Sequence, residues 1–568
     1  MPHDLVIRNA RIVDGSGRPA FAGDVAVDGD RIAQVGAVDG GGRREIDAGG
    51  DLVAPGWVDV HTHYDGQATW DGLLTPSCWH GVTTVVMGNC GVGFAPVRAE
   101  QREALIRLME GVEDIPGTAL HEGIRWEWES FPEYLDALER RRFALDVGAQ
   151  LPHGAVRLYA MGERGADHAE APTTAEIADM ARIAREAVRA GALGFSTSRT
   201  INHRSSDGRH TPSLTAGRDE LVGVALGLRE AGAGVLQLVS DFDDVDREFD
   251  LLEAMVEASG RPLSITLLQN HTRPDDWSRV LARIERAARA GLPIKGQVPA
   301  RPIGLLLGLQ ATLHPFCTHP SFQPLAGRPL ADVVARLREP AVRAAILAET
   351  GNPLAAAMLG DFEKIFPLGD PPDYEPGPEA SLAARARARG VSPAALAYDA
   401  LLEQDGRALL YRPVMNYAAG DLEVTRAMLE HPDTVPGLGD AGAHCGLICD
   451  GSFPTFLASH WARDRARGKR LPLERLVKQQ TADTAALVGL SDRGVLAPGQ
   501  KADLNLIDWG ALGVAAPEIA FDLPAGGKRL VQRARGYRAT VVSGQVTFES
   551  GEPTGALPGR LIRGSRSG

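Results

Sequence analysis

Four stretches of this chain hold side chains able to bind a metal ion or carry a proton, and each follows a short apolar run. The first is Ala54-Pro-Gly-Trp-Val-Asp-Val-His-Thr-His-Tyr-Asp65. Its β-branched run at 58–60, opened by the Pro55-Gly56 turn, reads as a buried strand. His61 and His63 stand two apart at the end of that run. Residues i and i+2 of a strand point to one face, so both imidazoles can converge on one point. Two neutral imidazoles on one rigid element suit a borderline divalent metal such as zinc. The second stretch is Asn89-Cys90-Gly91, directly after Thr83-Thr-Val-Val-Met-Gly88. The third is His153 in Leu151-Pro-His-Gly-Ala-Val-Arg157, and the fourth is Asp440 in Gly437-Leu-Gly-Asp-Ala-Gly-Ala-His444. Each has a purely structural explanation of its own. A cysteine after a strand is often a small buried hydrophobe, and an Asp beside Gly is often a turn former. What favours chemistry is that all four stand where strands end.

Such residues need a frame that gathers strand ends. From residue 58 onward the chain alternates short apolar strands with helical stretches, the strands beginning near 58, 83, 144, 192, 235, 263, 294 and 435. The helix over 173–190 shows its signals openly: Thr173-Thr-Ala-Glu176 at its start and Gly191 as its stop. Eight strands in this alternation predict an α/β protein built on a (β/α)8 TIM-like barrel, whose working residues come from the C-terminal ends of the strands. The gap from about 298 to 434 is too long for one crossover. Its charged helix at 330–338 and its proline-rich patch at 367–378 predict a lid or side subdomain inserted over the mouth. Residues 4–52 read as an antiparallel sheet, and 494–508 and 539–547 read as similar short strands. The two ends together predict one small β-sandwich domain. The expected boundaries are 1–55 and 491–568 for that domain and 56–490 for the barrel.

Composition excludes several classes of function. The chain has 568 residues, 44% hydrophobic and 23% charged, with no apolar run of membrane-spanning length. Sixty Lys plus Arg against 73 Asp plus Glu leave a net charge of −13, which disfavours nucleic acid and anionic membranes as partners. Five scattered cysteines, at 78, 90, 317, 445 and 449, are too few to staple so long a chain. With no secretory signature in the first residues, they point to a reduced, cytoplasmic protein. The partner expected is a small molecule, and a homo-oligomer is left open.

These motifs together resemble the amidohydrolase superfamily, in the branch of the D-aminoacylases (N-acyl-D-amino-acid deacylases). The resemblance runs almost end to end. It is carried by Leu5-Val-Ile-Arg-Asn-Ala-Arg-Ile-Val-Asp-Gly15, by the stretch from Ala54 to His63, by Gly81-Val-Thr-Thr-Val-Val-Met-Gly-Asn-Cys-Gly-Val92, by 126–134 and His153-Gly-Ala-Val-Arg157, by Gly191-Ala-Leu-Gly-Phe-Ser-Thr197, by Gly439-Asp-Ala441 and by the closing segments 494–508 and 544–560. It implies a metal-dependent hydrolase of carbon–nitrogen bonds. In such an enzyme the metal lowers the pKa of a water and polarises the amide carbonyl, while a carboxylate moves the proton to the leaving nitrogen. The resemblance assigns that carboxylate to Asp440 and metal ligation to His61, His63 and Cys90.

The chain also departs from the family. The fifth and sixth strands each end there in a metal-binding His. Simple alignment puts Val239 and Leu267 at those positions, with Gln269 in place of a substrate-binding Lys. The fourth strand ends in Ser196-Thr197, with no Lys to bridge two metals. One zinc per chain is therefore expected, held by His61, His63 and Asp440, with Cys90 as a ligand or beside it. His271, four residues past Leu267, is a further candidate ligand if the strand end bulges. For the substrate, Arg199, His203 and Arg204 lie in a polar segment after the fourth strand, where a guanidinium fork suits a carboxylate. His153 joins them as a candidate substrate contact, and Met415-Asn-Tyr417 is a candidate pocket segment. The expected reaction is deacylation of an N-acyl amino acid. The alternatives are hydrolysis of a cyclic amide, carbamate or lactone, or a silent small-molecule binder.

Overall fold

The computed structural model describes residues 2–564. At its centre lies an eight-stranded parallel, TIM-like sheet, whose strands follow one another in chain order: Trp57–Asp59, Val82–Met87, Asp146–Pro152, Gly194–Arg199, Val235–Ser240, Leu263–Thr266, Ile294–Val298 and Thr434–Pro436. They are called the first to eighth strands below. The second and third are buried along their whole length, as expected for parallel strands covered on both faces. Past the strand ends, Asp440 N donates to His61 O (3.1 Å) and His63 N to Ala441 O (2.9 Å), so the segment after the eighth strand is bonded to the continuation of the first. The intervening helices include Arg102–Glu113, His153–Met161, Thr174–Ala190, Arg218–Ala231, Val245–Ser259 and Asp276–Arg289. Thr173 and Glu176 form the capping box read from the sequence, and Gly191 closes the same helix in left-handed backbone.

Strands from the two ends of the chain share a second sheet of nine strands. Leu52–Pro55 and Leu504–Ile507 pair antiparallel at its middle and so join the N-terminal to the C-terminal strands. Val25, Val27, Leu504 and Val541 are among the side chains that form its core. The N-terminal part is not wholly antiparallel as expected. His3–Ile12 pairs antiparallel with Phe21–Asp28 but parallel with both Gly42–Asp47 and Leu52–Pro55. This sheet is fixed to the barrel by buried polar contacts: Trp57 Nε1 donates to Tyr537 OH (2.8 Å), and Asn505 Nδ2 to Gly81 O (2.8 Å). A Cβ at Gly81 would lie 2.4 Å from the Tyr537 ring, and its φ of +71° also demands glycine.

The stretch between the seventh and eighth strands holds the helix Leu330–Leu337, six further α-helices, and a three-stranded antiparallel sheet that the sequence did not reveal. Leu307, Phe316, Ile346, Leu382 and Leu410 belong to a separate core there. His314 is buried edge-on against Phe322, with burial lowering its pKa to about 3. Among the described residues, no helix is long and apolar enough to cross a membrane.

Candidate metal centre

Residues 61–63 continue the first strand between two neighbours. Thr62 N donates to Val86 O (3.1 Å) on one side, and His63 N to Ala441 O on the other. Alternation turns the Thr62 hydroxyl back to Val86 O (2.9 Å) and sends His61 and His63 to the opposite face. There His61 Nε2 lies 3.2 Å from Cys90 Sγ and 3.3 Å from Asp440 Oδ1, and His63 Nε2 lies 3.4 Å from the same oxygen. Donor atoms of His61, His63 and Cys90 all fall within 4.8 Å of one another. The backbone is bent to achieve this. Cys90, Leu438, Asp440 and His444 all hold positive φ, between 44° and 60°. Non-glycine residues held in this way cost on the order of 1 kcal/mol each and cluster at functional sites. Cys90 is fixed from below, its N donating to Gln237 Oε1 of the fifth strand (3.0 Å).

An acceptor stands behind each of the two rings. His61 Nδ1 donates to Gln297 Oε1 (2.7 Å), whose orientation is set because its Nε2 donates to Ser264 Oγ (2.9 Å). His63 Nδ1 faces Glu113 Oε1 at 3.3 Å. Nδ1 of His61 is committed to Gln297, which leaves its Nε2 with the lone pair toward the common centre, while the Glu113 carboxylate stands behind His63 Nδ1 without a hydrogen bond. Two imidazole Nε2 atoms, a thiol and a carboxylate oxygen thus face one another in a buried space, an arrangement that repels unless a cation or protons intervene. The donor set of nitrogen, nitrogen, sulfur and oxygen fits a borderline divalent ion.

Electrostatics follow the same geometry. Burial pulls His61 down to about 4. Burial opposes a charge on His63 as well, but the Glu113 and Asp440 carboxylates outweigh it and raise that ring well above its ordinary value. Burial likewise opposes the Asp440 anion, and His61 and His63 overcome it, so its carboxyl is held below the usual range. Cys90 is pushed up to about 12 by burial; a metal at the site would deprotonate it.

Two residues absent from the sequence reading complete the cluster. Glu113, the last residue of the helix Arg102–Glu113, is 1% exposed, and burial pushes its carboxyl up to about 7. Its Oε2 lies 3.7 Å from His444 Nε2, which in turn is 3.9 Å from Asp440 Oδ2. The Glu113 carbonyl also accepts from His444 N, so this one residue ties the His63 ring to the loop that carries Asp440. A sequence signal existed: an acid at a helix C-terminus opposes the helix dipole and calls for a local reason.

Other expected site residues lie elsewhere or are engaged. His153 is fully buried, with Nδ1 on Thr197 Oγ1 (2.8 Å) and Nε2 on Glu220 Oε1 (3.1 Å), inside an ion pair of Glu220 with Arg157. Both of its ring nitrogens are thus engaged within the protein. Arg199 is committed to Glu248 by two bonds (2.6 and 3.1 Å) and to Ala216 O (2.6 Å). Exchanging that pair for a substrate carboxylate would gain nothing, since the interaction broken equals the one made. Arg204 is exposed and bonded to Gly208 O (3.1 Å). Neither arginine forms the expected clamp. His271 does not swing into the centre: its Nε2 accepts from Tyr417 N (3.0 Å) on the side of the inserted stretch. His203 does face the centre. Its Nδ1 is bonded to Ser198 Oγ (2.9 Å), and burial, with the charges of His444 and His63, lowers it to about 3.

The two apolar positions also part company. Val239 shares the inward face of the fifth strand with Gln237. Leu267 packs outward, where a Cβ on Gly296 would meet its Cδ2 at 3.0 Å and Ile284 at 3.3 Å. Among the described residues, only His61, His63 and Cys90 form a compact group of three or more metal-ligating side chains.

Against known proteins, the model of the Amidohydrolase family matches residues 44–548. D-aminoacylase of Alcaligenes xylosoxydans xylosoxydans is 27% identical over 99% of this chain and 98% of its own length. N-acyl-D-glutamate deacylase of the same organism is 28% identical over 99% and 96%. Among solved structures, D-aminoacylase superposes with a TM-score of 0.64 at 24% identity, covering 99% of this chain and all of that one. N-acyl-D-glutamate deacylase of Bordetella bronchiseptica, complexed with zinc and a phosphonate inhibitor, gives 0.64 at 23% with the same coverage.

Proposed function

The chain belongs to the amidohydrolase family, and on that premise we propose that it is a metal-dependent deacylase of N-acyl-D-amino acids with one zinc ion per chain. His61 Nε2, His63 Nε2 and Cys90 Sγ would hold the ion, with Asp440 Oδ1 against it. The observation that carries this reading is the convergence of those four atoms, at 3.2–3.4 Å along the contacts that link them, with Nδ1 of both rings backed by Gln297 and Glu113. A single ion is supported by Val239 on the inward face of the fifth strand, by Leu267 turned outward, and by His271 being engaged elsewhere. The relatives named above act on N-acyl-D-amino acids, and one of them binds zinc, which supports the same reaction here.

A bound divalent ion supplies a water of lowered pKa and polarises the amide carbonyl. The remaining work falls to the chain. Asp440, kept ionised by the two imidazoles, accepts the proton of the attacking water and delivers it to the leaving nitrogen. Gln297 and Glu113 hold the rings so that their lone pairs do not turn away. His203, neutral and bonded to Ser198, closes the side of the site nearest the fourth strand.

The nine-stranded sheet, residues 1–55 with 491–568, is read as one small β domain serving the barrel at 56–490. The separate core of the insertion, about 298–434, supports its reading as a subdomain beside the mouth. Five free cysteines support a reducing, cytoplasmic setting. The decisive experiment pairs metal analysis with amino-acid release from N-acyl-D- and L-amino acids. One zinc per chain with D-selective release is expected. Absence of metal would leave only a binder, and two ions per chain would overturn the single-ion assignment.

A further inference from the structure

Beside the centre lies a cavity of about 160 Å3 that no catalytic role accounts for. His203 stands on the wall between the two: it lines the cavity, and it is near enough to His444, His63 and His61 for their charges to act on its ring. Val239 provides a second link, because it follows Gln237, whose side chain holds Cys90 N, on the same face of the fifth strand. The apolar wall consists of Val239, Phe242, Leu267, Leu268, Trp277, Val280 and Met415. Phe242, Leu267 and Val280 are buried and the other four are only half-buried, so apolar surface is turned toward an empty space. Small-molecule sites have this character: a concave, mostly apolar surface with a few polar groups at its edge.

The charged groups of the cavity wall are already paired. Both carboxylate oxygens of Asp241 accept protein hydrogens, from Thr200 Oγ1 (2.6 Å) and Ile201 N (2.8 Å). Arg273 is the only cation on the wall. It is paired with Asp243 (2.7 Å), lies 3.5 Å from Asp276, and donates to the Asp241 carbonyl (2.9 Å). One guanidinium between two carboxylates has no charge to spare for an acidic ligand. In volume, an apolar cavity of about 150 Å3 accepts a benzene ring.

We propose that this cavity receives an apolar group of the substrate, the size of a leucine side chain or one phenyl ring, and that the enzyme therefore prefers neutral apolar N-acyl amino acids to acidic ones. The inference rests on the deacylase reading above and narrows it. It also separates this chain from its relatives that act on N-acyl-D-glutamate and N-acyl-D-aspartate. The apolar group can belong to the amino acid or to the acyl half, and the two sources are separable by experiment.

The test uses the zinc-loaded full chain. One arm compares N-acetyl-D-leucine with N-acetyl-D-glutamate, and the other compares N-phenylacetylglycine with N-acetylglycine. Burial of one such group predicts a kcat/KM ratio of about 10-fold or more in favour of the apolar member of at least one pair. The first pair showing it assigns the cavity to the side chain, the second to the acyl group. Glutamate equal to or better than leucine, with no gain from phenylacetyl, would overturn the proposal while leaving the deacylase intact. No release from any of the four would overturn the deacylase reading itself. Two variants locate the effect. Val239→Phe fills the cavity and Phe242→Ala opens its wall, and each should cut the apolar preference several-fold at unchanged zinc content. A ratio that neither variant alters would place the apolar group elsewhere.

Discussion

The barrel mouth has two corners of opposite character. Where the first, second and eighth strands end, His61, His63, Cys90 and Asp440 crowd polar atoms to within 3.2–3.4 Å along the contacts that link them. Where the fifth and sixth strands end, Val239 and Leu268 face a cavity, and among the described residues no metal-ligating group of three or more gathers there. The first corner is held by strained backbone and buried bonds to Gln297, Gln237 and Glu113, the second by ordinary packing. The contrast suggests a division of labour: one corner sets an ion and a proton carrier, and the other decides what is placed before them. It also explains why the chain can lack donors on strands five and six without losing a coordination set, since three protein ligands and a water make a sound catalytic site.

The sharpest way to break this division is at Asp440. Asp440→Asn keeps shape and hydrogen bonding but removes the proton acceptor. Turnover should fall by about 10²- to 10⁴-fold, while zinc analysis still finds the ion on His61, His63 and Cys90. Parental turnover in that variant would move proton transfer to another residue. The next largest effect is expected at Glu113. Carboxylates that orient a metal-binding histidine contribute about 10- to 100-fold in metal affinity, so Glu113→Ala should lose that much in chelator competition. Glu113→Gln keeps an acceptor for His63 Nδ1 and should lose less. A third test concerns the boundary between the corners. Arg199→Ala strands Glu248, which is partly buried, at a cost of about 1–3 kcal/mol read as a lowered melting temperature. KM should not change. A raised KM with an unchanged melting temperature would restore Arg199 as a substrate clamp.

How much of this was readable beforehand depended on whether the cause was local. The eight strands show themselves because parallel strands buried on both faces are short apolar runs bounded by turns, and Val82–Met87 is such a run. His61 and His63 were legible because strand alternation is a local rule. The parallel pairing of Gly42–Asp47 with His3–Ile12 was not, because strand direction is settled by where the chain returns. Arg199 misled for a similar reason: its partner Glu248 is 49 residues away, and a charged loop residue looks free until its partner is placed. Glu113 hid inside a regular amphipathic helix whose spacing accounts for every other residue. Leu267 shows the limit of alignment: it matches a ligand position in sequence, yet packs against the outer helix.

The smallest effect concerns acid, and it sets the metal corner against the rest of the molecule. Burial lowers both His61 and His80 to about 4. His80 is not part of the cluster and has Nδ1 on Thr455 Oγ1 and Nε2 on Gln532 O, both at 2.8 Å, which suits a neutral ring. In the unfolded chain such rings take up protons below about 6.5. Between pH 6.5 and 4 the unfolded state therefore binds more protons than the native one, and stability falls on acidification by about 1.4 kcal/mol per pH unit for each such ring. Zinc adds a further term at His63, whose ring otherwise keeps its proton over this range in the folded chain, because the ion binds only the unprotonated ring. Melting temperature should thus fall more steeply over this range for the zinc-loaded protein than for the zinc-free one. His80→Gln should flatten both curves by the same amount. Equal slopes with and without zinc would mean that His63 does not hold the ion, and the polar corner would have to be reassigned.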